Sequence, residues 1–135
     1  MPRNTVLIVE DSDVEWFLTD HFLDESDIML KRARTRTGRE ALDWIEAHGE
    51  HPRLILLDLQ MPVMDGFQFL ERYDELEFTG PPAAVVVTTS SDLARDRERA
   101  LSFRAVREYV IKPLMLTAAD VRDRIVRLVY PDSTD

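Results

Sequence analysis

Five short runs of β-branched and aliphatic residues, at about 5–9, 28–35, 54–57, 84–88 and 108–111, alternate with helical patterns at about 13–24, 38–48, 66–76, 93–103 and 118–129. No other feature restricts the chain as strongly. Strands separated by a helix run parallel, because a crossover of that length returns the chain in the same direction over a covered sheet. The runs Leu54-Ile55-Leu56-Leu57 and Val85-Val86-Val87 lack polar alternation, as strands buried on both faces do. The pattern predicts an α/β fold, a doubly wound five-stranded parallel sheet in (βα)5 order.

Local signals support these boundaries. Thr37 with Glu40 three residues on reads as a capping box, and Gly49 stops that helix. Asp13 and Asp65 read as helix caps. Gly80-Pro81-Pro82 separates the third helix from the fourth strand. In the last helix Val121, Ile125 and Leu128 form the core stripe, which places Val126 and Tyr130 on the opposite, exposed face. No linker or repeat interrupts the pattern, so one domain with a core at about 4–130 is expected, followed by a frayed tail at 131–135.

A chain of 135 residues buries roughly two thirds of its unfolded surface. It therefore needs no disulfide or structural metal, and the lack of cysteine excludes thiol catalysis and thiolate metal sites. There is no apolar run of about 18 residues and no apolar signal region at the N-terminus, so a cytoplasmic protein without membrane contact is expected. The formal net charge of −9 argues against a nucleic-acid partner. Residues 10–27 hold eight acids and no Lys or Arg, and residues 31–39 hold five bases. Apart from Glu10 and Asp11, these read as solvated faces.

In an open parallel sheet, functional residues gather at the carboxyl edge of the strands. Glu10-Asp11 follows the first strand, Asp58 ends the third, Thr88-Thr89-Ser90 follows the fourth and Lys112-Pro113 the fifth. An acid at one strand end is commonly a cap or turn former; polar residues at four strand ends form a site. Three neighbouring carboxylates repel, and a divalent cation relieves them. Oxygen ligands without His or Cys suit Mg2+ or Mn2+. A carboxylate beside such an ion can attack an activated phosphoryl group and become an aspartyl phosphate, with Lys112 and Thr88 binding the phosphoryl oxygens. Of the 17 basic residues only Lys31 and Lys112 are lysine, so Lys112 stands where a planar guanidinium would not serve. His21, His48 and His51 are scattered and receive no ligand role.

These residues resemble the receiver domains of two-component response regulators over nearly the whole chain. Glu10-Asp11 resembles the family's acidic pair, and Asp58-Leu59-Gln60-Met61-Pro62-Val63-Met64-Asp65-Gly66 its phosphoacceptor strand and loop. Thr88, Lys112-Pro113 and Tyr109 match its hydroxyl, lysine-proline and switch-aromatic positions. The resemblance implies the flavodoxin-like strand order 2-1-3-4-5 and phosphate transfer to Asp58 from a histidine kinase. It also implies Mg2+ held by Asp11, Asp58 and the backbone carbonyl of Gln60, with Glu10 acting through water. Gln60 and Ser90 would tune the phosphate's lifetime, Pro62 stiffens the loop and Gly66 provides a sharp bend. Two departures stand out: Glu-Asp replaces the commoner Asp-Asp, and Arg104-Ala105-Val106-Arg107-Glu108 replaces a Gly-Ala step before the fifth strand.

The expected function is that of a stand-alone receiver that signals by protein contacts, with Thr88 drawn to the phosphate and Tyr109 repacking. The Thr88-Thr89-Ser90-Ser91 run and the long stretch to Lys112 also resemble single-domain regulators that partner phytochrome-type histidine kinases. Family likeness further implies a homodimer through the fourth helix, fifth strand and fifth helix. Two rivals are a Mg2+-dependent phosphohydrolase forming an aspartyl phosphate on a small substrate, and a receiver-like docking module that is not phosphorylated. Hydrolases of the haloacid-dehalogenase type generally carry an acid where this chain has Gln60, and retention of every polar position disfavours the docking module.

Overall fold

The computed structural model describes residues 2–61, 64–77 and 80–131; Pro62, Val63 and most of the expected tail, 132–135, lie outside them. The elements are β1 (Thr5–Val9), α1 (Asp13–Glu25), β2 (Lys31–Thr35), α2 (Gly38–His48), β3 (Leu54–Asp58), α3 (Gly66–Asp74), β4 (Ala84–Thr89), α4 (Ala94–Leu101), β5 (Val106–Ile111) and α5 (Ala119–Val129). Every strand pairing is parallel and the order is β2-β1-β3-β4-β5, the flavodoxin-like receiver arrangement. The predicted class and topology hold.

The two-residue period of the strands divides the core between two faces. Leu7, Val9, Ile55, Leu57, Val85 and Val87 pack with Ile45 of α2, Phe69 of α3 and Ala100 of α4. Val6, Ile8, Leu54, Leu56 and Val86 pack instead with Leu23 of α1 and with Ile125 and Val129 of α5. The strand side chains are essentially inaccessible, and each such burial is worth about 1.5–3 kcal/mol. No helix among the described residues is long and apolar enough to cross a membrane.

Helix starts follow the expected chemistry in part. Asp65 caps α3 in a complete capping box with Gln68. Thr37 caps α2, but the Glu40 side chain accepts from Arg36 N–H rather than from the cap residue. Gly49 closes α2 in the left-handed conformation, φ 67°. Asp13 is not the cap of α1; Ser12 is, leaving the Asp13 carboxylate free for Arg34 and Arg36 at 2.8 and 2.9 Å.

The acidic and basic runs are therefore not merely solvated faces. β2 lies at the sheet edge beside β1, and its arginines reach back to α1: Arg32 holds Asp20 and Asp24, while Arg34 and Arg36 share Asp13.

Two boundaries and one helix face move for identifiable reasons. β2 begins at Lys31, not at 28, because Lys31 pairs with Thr5, the first residue of β1. Ile28 is buried in the core without being in the ladder. β5 begins at Val106 because a register shift pairs Val85 with Val106 and Val86 with Glu108, leaving Arg107 as the extra residue. On α5 the stripe centres on Ile125 and Val129, so its axis turns toward Val126. Val126 and Tyr130 consequently pack against the core instead of facing solvent. Tyr130 is the C-cap, departs from helical geometry, and its hydroxyl accepts the Met29 N–H at 2.7 Å.

Candidate functional site

The strand register assembles the site. Asp58, the last residue of β3, pairs directly with Thr88 on β4, and the Lys112 N–H just beyond β5 donates to Thr89 O at 2.8 Å. Glu10 follows β1, where its own N–H donates to Thr35 O at the end of β2. Four neighbouring strands thus end at one level, and their next residues converge.

Glu10, Asp11 and Asp58 each offer a carboxylate oxygen within 4.8 Å of the others. Glu10 and Asp58 are buried while Asp11 is exposed, so the cluster is a cup open on one side. Lys112 spans it, with Nζ 2.7 Å from Glu10 Oε1, 3.4 Å from Asp58 Oδ2 and 3.8 Å from Glu15 Oε2. Burial opposes the charge on Lys112, yet the Glu10 hydrogen bond and the Asp58 charge outweigh it and hold its pKa above the usual lysine value. For Glu10 burial dominates: its pKa is pushed up to about 7 against the Lys112 hydrogen bond, with Asp58 adding repulsion. One ammonium does not neutralise three acids, and this donor set of carboxylate oxygens fits a hard divalent cation.

Backbone donors fix the carboxylates. Ser12 N–H donates to Glu10 Oε2 at 3.1 Å and Gln60 N–H to Asp58 Oδ1 at 3.0 Å. The second bond pins the chain after Asp58 back onto its own side chain. Gly66 keeps that loop close: a Cβ there would lie 2.7 Å from Leu59 Cα and 2.9 Å from the Asp58 carbonyl oxygen.

The remaining predicted residues ring this centre. Thr88 is buried and its hydroxyl makes only a long 3.5 Å contact to Leu57 O. Ser90 Oγ donates to Gln60 Oε1 at 3.1 Å, so the two positions read as lifetime-tuning touch each other across the exposed mouth. The Tyr109 ring is buried, Arg97 lies over it at 5.6 Å, and its hydroxyl donates to Ser91 O at 2.9 Å. Sequence reasoning missed Glu15, one turn into α1 and near Lys112. Its signal was present, since residues at the start of α1 face the same strand edge as Glu10.

The sequence profile described as the response regulator receiver domain matches residues 6–125. The polar-differentiation response regulator DivK of Brucella ovis is 32% identical over 111 residues, covering 82% of this chain and 85% of DivK. The crystal structure of a two-component response regulator from Cytophaga hutchinsonii superposes with a TM-score of 0.78 at 22% identity, covering 95% of this chain and 97% of that one. The bacteriophytochrome response regulator AtBRR superposes with a TM-score of 0.72 at 26% identity, covering 93% and 91%. Sequence, topology and the acid-lysine-hydroxyl edge agree: the chain belongs to the response regulator receiver domain family, the signalling modules of two-component systems.

Proposed function

We propose that this chain is a phosphoacceptor switch in which Asp58 takes a phosphoryl group from the phosphohistidine of a histidine kinase. The observation that carries the reading is the position of Asp58 within ion-pair reach of Lys112 and laterally paired with Thr88. An Asp58 carboxylate oxygen attacks phosphorus, the P–N bond breaks, and its electron pair leaves on the donor imidazole. Lys112 binds one phosphoryl oxygen and Thr88 Oγ1 another. Asp11, Asp58 and the Gln60 carbonyl would hold Mg2+ or Mn2+, with Glu10 reached through water. When bound, the ion neutralises charge on the carboxylates and the transferring group.

Signalling follows from the Tyr109 anchor. Among the described residues Thr88 Oγ1 has only the 3.5 Å contact to Leu57 O, and the loop after β4 is tied to β5 by Tyr109 on Ser91 O. Drawing Thr88 toward a phosphoryl group strains that tie and biases α4 and β5. Leu101 on α4 and Ile111 on β5 are 41% and 43% exposed, which supports a homodimer through α4, β5 and α5. The likeness to AtBRR supports a kinase of the phytochrome type as the donor. A cytoplasmic receiver without nucleic-acid or membrane partners completes the reading.

Incubation with a small acyl phosphate and Mg2+ separates this function from hydrolysis. A single phosphoryl adduct per chain with no turnover of phosphomonoesters is expected; steady turnover of a phosphomonoester would replace the switch with a hydrolase.

A further inference from the structure

At the opposite end of the sheet from Asp58, where β3, β4 and β5 begin, five arginines line one cavity of about 370 Å³: Arg3, Arg53, Arg104, Arg107 and Arg127. They come from four separate segments, with Arg104 and Arg107 on the same one. Arg107 is there because of the bulge in β5, whose extra residue re-aims the strand, and Arg104 belongs to the segment that replaces the family's Gly-Ala step. Arg127 stands in the last turn of α5, where the helix dipole favours a cation.

Nothing among the described residues neutralises this cluster. Among the described residues no carboxylate lines the cavity and none of the five forms an ion pair; Arg72, Arg95, Arg97 and Arg122 form none either, while Arg32, Arg34, Arg36, Arg39, Arg99 and Arg124 each hold an acid. Arg3 and Arg53 are tied down by backbone oxygens, Arg3 to Pro52 O and Arg53 to Arg3 O and Val129 O, so their guanidinium planes are preset. Burial and then repulsion from Arg53 lower the pKa of Arg3, against smaller opposing influences of Tyr73 and Glu50. A protein of net charge −9 thus concentrates unpaired guanidinium groups at one concave spot.

We propose that this cavity binds a small, multiply charged phosphoanion of nucleotide size. Planar guanidinium forks match phosphate oxygens bidentately. The volume exceeds that of one phosphate and falls in the small-ligand range, and Pro81, Pro82 and Leu128 provide an apolar wall for an uncharged moiety. Solvated exposed arginines alone would not be collected from four segments around one concavity.

Calorimetric titration of the full chain in EDTA, which removes divalent ions from the Asp58 edge, tests the site with ATP, pyrophosphate and sulfate as probes. Saturable binding of ATP is expected, and Arg104→Glu with Arg107→Glu, both exposed positions, should weaken it by about tenfold or more. Arg127→Glu alone should weaken it in the same direction. Pyrophosphate matching ATP would assign recognition to the phosphates alone, and tighter ATP would add the apolar wall; both support the site. A parallel measurement on Asp132→Asn with Asp135→Asn lowers the negative charge of the sequence that follows Pro131. No saturable binding in either background, affinity for ATP no greater than for sulfate, or undiminished binding by the arginine variants would overturn the proposal.

Discussion

Lys112 Nζ lies 3.4 Å from Asp58 Oδ2 while a shorter bond, 2.7 Å, ties it to Glu10 Oε1. The ammonium is therefore already placed beside the acceptor carboxylate and held there by a second acid. A guanidinium is planar and larger and does not fit between these carboxylates. Lys112→Arg is expected to keep the thermal midpoint close to wild type yet weaken the response to beryllofluoride, a phosphoryl mimic, by about tenfold or more, the loss of one charge-assisted hydrogen bond. Fluorescence titration checks it. A wild-type response would reduce Lys112 to a generic positive charge.

Gly66→Ala places a methyl group against main-chain atoms at 2.7 and 2.9 Å, where no side chain can give way. Destabilisation of about 1–3 kcal/mol is expected in urea unfolding. Because the clash is with the backbone of Leu59 and Asp58, the rate of phosphoryl uptake should fall as well. An unchanged unfolding midpoint would show that the loop relaxes freely.

Most of the fold was legible because strands buried on both faces read as uninterrupted apolar runs, as in Val85-Val86-Val87, and the helices between them keep a 3.6-residue period. The site was legible for a related reason: parallel strands bring their carboxyl ends together, so Asp58, Thr88 and Lys112 could be read from chain position alone. What escaped depended on partners distant in sequence. Arg32 and Arg34 looked like solvated bases until β2 docked beside α1. The Arg107 bulge arises from pairing with β4 and has no local signature. Tyr130 was misplaced because helical projection was extended one residue past the helix end.

His51 gives a pH signature away from the acidic edge. Its Nδ1 is 2.7 Å from the Tyr73 hydroxyl, which also accepts the Ala83 N–H, and burial followed by Arg3 lowers its pKa below 6.5. The unfolded chain binds a proton at His51 in a range where the folded chain does not, so stability is fully present above about pH 6.5 and falls as pH drops through the lower folded value. The difference in unfolding free energy between wild type and His51→Gln should shrink on acidification below pH 6.5. A difference independent of pH would contradict a neutral, buried His51.

Val126→Arg, which would report on association if Val126 were exposed, should instead destabilise the monomer by about 1–3 kcal/mol, because this side chain packs on the core beside Ile125. Unfolding at a concentration where light scattering gives a monomer checks it. A stability equal to wild type would return Val126 to the surface and to the interface. Ile111→Lys on β5, 43% exposed, is the better probe of the dimer.

Intact-mass spectrometry after exposure to a small acyl phosphate tests the assignment of Asp58 most directly. Wild type with Mg2+ should gain the mass of one phosphoryl group, and Asp58→Asn should gain none, because Asp58 is the carboxylate of the acidic cluster that both meets Lys112 and pairs laterally with Thr88. Wild type in excess chelator should likewise remain unlabelled. Phosphoryl mass on Asp58→Asn equal to that on wild type, or undiminished labelling without divalent ions, would contradict it.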